Sequence, residues 1–448
     1  MLSRGLAKGI RYYTTSTFQE TPRVVESSTL ANGLKVVSMT GGYSGPAVSL
    51  GLYIKSGSRN ECHNSAGVNQ VLKNLVFQSN SKKLYLEVQR EIETMGSTAF
   101  TQASRDSLLI STQTLPVTSQ FMLQHLANVT KPTLPYHEVR DSAAVVADES
   151  EAYNHDIYTT LFDSLHQAAF RGKTLGRPLV APRCNISNLT QEAVTEFADK
   201  AYTPSNMVLV SVGVNHKELV EEAGKLDFGR TKSSAALTSE PAKYIGGESI
   251  KYNAGNSHVI LGFEGAAHSN VRDVAALSVL QNILGAGCAK LAPGNGVTSR
   301  LNQIVTNNPS VVSAEAFNLT YGDAGLFGVY FETESNVAKV LSLLTSEIVA
   351  ASNVSGQELE KAKTITRSHI FEQTETRSNA LEFIGKQAVY QVENILTPSQ
   401  FAQEVAKVTA EDVKRVAKKM TSSKPTLVVS GDNSEVPTLE SLQSALKL

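Results

Sequence analysis

Apolar positions along this chain switch repeatedly between strand-like and helix-like spacing. The run Thr29–Val37 sets Asn32-Gly33 between β-type residues, the strongest short-range hairpin signal. Val48–Ile54 follows as a buried-strand pattern and ends in turn chemistry at Ser56-Gly57-Ser58. Ala66–Phe77 then places Val68, Val71, Leu72, Leu75 and Val76 on one helical stripe, and Leu84–Met95 repeats that period before Gly96, a good C-cap. Strands are predicted at Thr98–Thr101 and Ser107–Thr112. Helices are predicted from about Val117 to Val129 and over Tyr136–Phe170 and Gln191–Tyr202, with a closing strand at Met207–Val212.

The second half replays this order. His258–Phe263 echoes Val48–Ile54 with Gly262 on Gly51, and Val279-Leu-Gln-Asn-Ile283 echoes Val71-Leu-Lys-Asn-Leu75. Thr421–Gly431 echoes Thr203–Gly213. The three offsets, 211, 208 and 218 residues, are nearly constant, the signature of an internal repeat. The expected fold class is therefore α+β: two homologous domains from an internal duplication, each a mainly antiparallel sheet packed with helices. The boundaries read as 1–17 for a leader, 18–228 and 244–448 for the two domains, and 229–243 for a Ser, Thr, Lys and Ala-rich linker.

Composition narrows the function. With 448 residues and 41% hydrophobic content the chain can bury sizeable cores, and a net charge of −1 argues against a general nucleic-acid binder. No apolar run approaches the roughly 18 residues of a membrane helix. Cys62, Cys184 and Cys288 are far apart and odd in number, which indicates neither a disulfide framework nor a thiolate zinc site. At the start, Arg4, Lys8 and Arg11 are basic, Leu2, Leu6 and Ile10 recur at helical spacing, and no acid precedes Glu20. That is the composition of a mitochondrial transit peptide, with the mature chain expected to begin between Tyr12 and Thr17. Nine histidines form no paired metal-binding motif, and Gly285-Ala-Gly287 lacks the third glycine of a dinucleotide fingerprint.

The helix Ala66–Asn80 resembles the zinc-site helix of the pitrilysin and mitochondrial processing peptidase family, which reads Gly-x-x-His-x-x-Glu-His-x-x-Phe. Gly67 and Phe77 fit it; Gln70 and Asn74 hold the two histidine places and Lys73 the glutamate place. Through Phe162 and His166, the tract Asp148–His166 resembles the stretch around the family's third ligand and sets Glu149 there. Catalytic zinc needs three good donors, an open water position and a carboxylate base. Side-chain amides are poor donors, and the charge of Lys73 repels a metal. The resemblance thus implies no catalytic residue, no metal and no peptidase activity, only a degenerate site at Gln70, Lys73, Asn74 and Glu149. Two readings of Lys73 stand: its ammonium replaces the zinc charge by pairing with Glu149, or it extends to solvent.

The resemblance covers Thr29 to Gly431. Leu52–Arg59, Leu277–Gly287 and Ser313–Gly328 resemble one non-catalytic branch, the core-2 subunits of the mitochondrial cytochrome bc1 complex (complex III). That implies a matrix-side scaffold, peripheral to the inner membrane, in a dimeric complex with core protein 1, cytochrome b, cytochrome c1 and the iron–sulfur protein. Haem, iron–sulfur cluster and quinone would then lie on those partners, with no cofactor in this chain. The alternative is the presequence-binding, non-catalytic α subunit of a processing peptidase. The glycine-poor segment Leu284–Arg300 is taken to favour the first branch.

Overall fold

The computed structural model describes residues 22–43, 45–230, 237, 240–286, 299–390, 394–432 and 435–446. The expected leader 1–17 lies outside them, as do residues 287–298 of the glycine-containing segment and most of 231–239 in the expected linker.

Strands β1 (Val24–Thr29), β2 (Lys35–Thr40), β3 (Val48–Ile54), β4 (Thr98–Ala103), β5 (Leu108–Thr114) and β6 (Met207–Val212) form one sheet, ordered β1-β2-β6-β3-β5-β4. Strands β7 (Gly247–Tyr252), β8 (Ser257–Glu264), β9 (Val311–Thr320), β10 (Gly325–Thr333) and β11 (Thr426–Gly431) form a second, ordered β7-β11-β8-β10-β9. The second order repeats β2-β6-β3-β5-β4 strand for strand. In each sheet one pair is parallel, β2 with β6 and β7 with β11, and the remaining pairs are antiparallel. The α+β fold with a duplicated sheet is present. Asn32-Gly33 makes the β1–β2 turn: Gly33 takes φ +87°, and Asn32 Oδ1 accepts the Leu34 amide at 3.0 Å.

The helices that build the site and the seam between halves are α1 (Val68–Leu75), α2 (Tyr136–His155), α3 (Ile157–Ala169), α4 (Val271–Leu284), α5 (Gly356–Gln373) and α6 (Arg377–Val389). The helical tract over Tyr136–Phe170 is two helices, because Asp156 leaves helical geometry and its side chain caps the Tyr158 amide. Among the described residues no helix is long and apolar enough to cross a membrane.

Both faces of each sheet are buried at its central strands, which is why β6 is buried along all six residues and apolar at every one but Ser211. One face of the first sheet packs on its own helices, with Leu50, Leu52 and Ile54 against Val68, Val71 and Leu72. The other face, carrying Val37, Val208 and Val210, is covered by Leu381, Ile384 and Ala388 of α6, which belongs to the second half. The second sheet mirrors this: Ile260, Tyr330 and Val428 are covered by Leu161, Leu165 and Ala169 of α3, from the first half. The two halves thus exchange one helix each. Gly51 and Gly262, matched in the repeat, sit under the exchanged leucines. A Cβ on Gly51 would lie 2.6 Å from Leu381 Cδ2, and one on Gly262 2.7 Å from Leu165 Cδ1.

Candidate functional site

Helix α1 starts from a buried carboxylate. Glu61 accepts the backbone amides of Gly67 at 2.8 Å and Asn69 at 2.9 Å, satisfying donors that open a helix. Burial pushes the Glu61 carboxyl up to about 7, against the pull of those amides. Gly67 takes φ +98°, and a Cβ there would run into Ala181. Helix α2 lies on α1 through buried Val139, Ser142, Val146 and Ser150, spaced three or four apart. Ser150 Oγ donates to the Ala181 carbonyl at 2.8 Å, so Ala181 is clamped between the two helices.

This frame brings Gln70, Lys73 and Glu149 together. Gln70 Oε1 accepts the Ala181 amide at 3.1 Å, and its Nε2 donates to Glu149 Oε2 at 2.7 Å. Lys73 Nζ donates to both Glu149 oxygens, at 3.2 and 3.1 Å. The ion pair is partly shielded, with side chains 23% and 34% exposed. Asn74, one residue further on, stays apart: its Nδ2 is shielded from solvent and has no hydrogen-bond partner. Zinc does not fit this donor set. The Gln70 oxygen is engaged by backbone, the carboxylate by three N–H donors, and a fixed cation already stands where the ion's charge would go. Among the described residues no group of three or more His, Cys, Asp or Glu is placed to hold a metal.

A second set of polar contacts, which spacing could not reveal, joins the halves. Arg59 Nη1 pairs with Asp106 at 2.7 Å and its Nη2 with Asp323 at 2.8 Å. His166 lies in α3 with burial holding it well below the usual imidazole range. Its Nδ1–H donates to the Phe162 carbonyl at 2.7 Å, and its Nε2 accepts the Tyr321 hydroxyl at 2.6 Å.

The profile of the insulinase family, peptidase family M16, matches residues 38–183, and that of the peptidase M16 inactive domain matches 188–366. The mitochondrial-processing peptidase subunit alpha-2 of Dictyostelium discoideum is 64% identical over the full length of both chains. The chain belongs to peptidase family M16. The mouse cytochrome b-c1 complex subunit 2, mitochondrial, is 30% identical over 94% of this chain and 92% of its own. A protease from Helicobacter pylori shares the fold, with a TM-score of 0.81 at 20% identity over 92% of this chain and 100% of its own.

The contrast of 64% with 30% overturns the expectation of a bc1 core-2 subunit. With it fall core protein 1, cytochrome b, cytochrome c1 and the iron–sulfur protein as partners, and the attachment to the inner membrane that they implied. The structure supplies the physical reason. Arg59, Phe317, Tyr321 and Asp323, from the blocks read as marks of that branch, are spent on the seam within this M16 chain. Gly328 is held by close packing, since a Cβ there would lie 2.5 Å from the Leu261 carbonyl. Such residues report how the two halves dock, whatever partner the pair meets.

Proposed function

We propose that this chain is the non-catalytic α subunit of a mitochondrial processing peptidase, paired with a zinc-bearing β subunit. The observation that carries this reading is full-length identity of 64% to a subunit of that name. The site supports it. Gln70, Lys73 and Asn74 are a degenerate metal-binding face, and the Lys73–Glu149 pair takes over the charge balance that an ion would provide. Cleavage therefore falls to the partner, and this chain contributes binding surface. Phe100 is 60% exposed on β4, an edge strand beside α1, and Val145 and Tyr136 are exposed on α2. An amphipathic targeting peptide would find apolar contacts there.

The test is purification from mitochondria by a C-terminal tag. The expected product is a haem-free pair of about 100 kDa, two chains of similar size, that cleaves a presequence peptide and carries zinc on the partner. An assembly containing b- and c-type haem would overturn the proposal, as would cleavage by this chain alone.

A further inference from the structure

A cavity of about 1060 Å³ opens where the loop between β2 and β3 meets the corner between α5 and α6. Tyr43 ties the two together, its hydroxyl donating to the Thr374 carbonyl at 2.8 Å. Two guanidiniums gather on the Tyr43 ring: the Cζ of Arg23 lies 4.6 Å from the ring centroid and that of Arg377 5.5 Å. Arg377 also spans the halves, donating through Nη2 to the Gly45 carbonyl at 2.7 Å. Both arginines line the cavity.

The arrangement is physically incomplete. Guanidinium cannot lose its proton to relieve crowding, so two full positive charges share one neighbourhood. The aromatic face attracts each cation, but it offers no acceptor for the in-plane N–H groups. Arg23 Nη1 is shielded from solvent and has no hydrogen-bond partner. A buried charged donor without an acceptor is costly, and an anion resolves both the repulsion and the missing acceptor. Glu372 and Glu375 also line the cavity, which disfavours a polyanion spread across it. A small ligand with one anionic group facing the arginines does gain.

We propose that this cavity binds a small phosphate-bearing ligand, its phosphate held by Arg23 and Arg377 beside the Tyr43 ring. Phosphate offers acceptor oxygens for the Arg23 fork and negative charge for the neighbouring Arg377 guanidinium at once. The site is separate from the Gln70–Lys73–Glu149 face, and the proposal does not depend on the peptidase reading.

Isothermal titration calorimetry of the full chain with inorganic phosphate, in chloride buffer at constant ionic strength, tests it. One saturable site is expected, weakened about tenfold or more in Arg23→Gln and in Arg377→Gln, the loss expected for a charge-assisted contact. Arg140→Gln, at an exposed side chain paired with Asp141, should bind as wild type. Arg377→Lys keeps the charge and should retain partial affinity, which separates loss of the site from loss of the fold. Flotation with phosphatidic acid vesicles against phosphatidylcholine vesicles distinguishes the source. Arg23-dependent flotation assigns the phosphate to a lipid headgroup, and phosphate binding without flotation assigns it to a soluble ester. Absence of saturable binding up to about 10 mM phosphate, or affinity unchanged in both glutamine variants, overturns the proposal.

Discussion

Replacing Gly51 by Ala places a methyl 2.6 Å from Leu381 Cδ2, with Cδ1 at 3.3 Å and Cγ at 3.4 Å. Leu381 is fully buried, so the whole side chain, and α6 with it, must move. Overpacking of this kind costs about 1–3 kcal/mol, and three close atoms put Gly51→Ala near the upper end. Gly262→Ala meets only Leu165 Cδ1 closely, at 2.7 Å, with Cγ at 3.8 Å; one methyl can rotate, and the cost should fall near the lower end. Leu381→Ala alone leaves a cavity and should cost about 2–5 kcal/mol. In Gly51→Ala/Leu381→Ala the new methyl meets no leucine and partly fills that cavity. The double variant should therefore be more stable than the sum of the singles by about 1–3 kcal/mol. Urea unfolding of the four proteins, followed by circular dichroism, measures the cycle. Additive single effects, or a neutral Gly51→Ala, would refute exchanged-helix docking as the cause.

Three other outcomes are expected. Gln70→His/Lys73→Glu/Asn74→His, with Glu149 in place, should bind zinc near one equivalent by metal analysis after dialysis; a metal-free product means that the face cannot be rebuilt. Glu61 has a folded-state carboxyl at about 7, above its unfolded value, so its contribution is complete at low pH and is lost as pH rises through that range. Wild type should thus lose stability between mildly acidic and neutral pH more steeply than Glu61→Gln, and equal slopes in pH-dependent denaturation would contradict this. Arg59→Met leaves Asp106 buried without its partner and should cost about 3 kcal/mol, with Arg59→Met/Asp106→Asn recovering part of the loss in thermal melts.

Much of this fold could be read from spacing. The Val48–Ile54 and Met207–Val212 runs, the Asn32-Gly33 turn and the stripe of α1 are local patterns, and the near-constant offset of three segment pairs, Gly51 with Gly262 among them, exposes the duplication. Gln70, Lys73 and Glu149 could be placed in one site because a helical motif and a family pattern position them together. What escaped was long-range. Nothing local says that Leu381 covers the first sheet or Leu165 the second, since an apolar stripe records burial and not the surface that buries it. Arg59 and Asp323 are 264 residues apart, and only the docked halves bring them to 2.8 Å. For the same reason their motifs, met in sequence alone, read as the mark of a partner.

The exchange of α3 and α6 also dictates an order of events during synthesis. The strands of the first sheet are complete once Val212 has emerged, yet the apolar face formed by Val37, Val208 and Val210 stays bare until α6 ends at Val389. Nearly the whole chain must be made, or threaded through a pore, before the first half can close. During that interval the nascent protein presents an uncovered β surface, the kind of surface that chaperones hold and that aggregates when they do not.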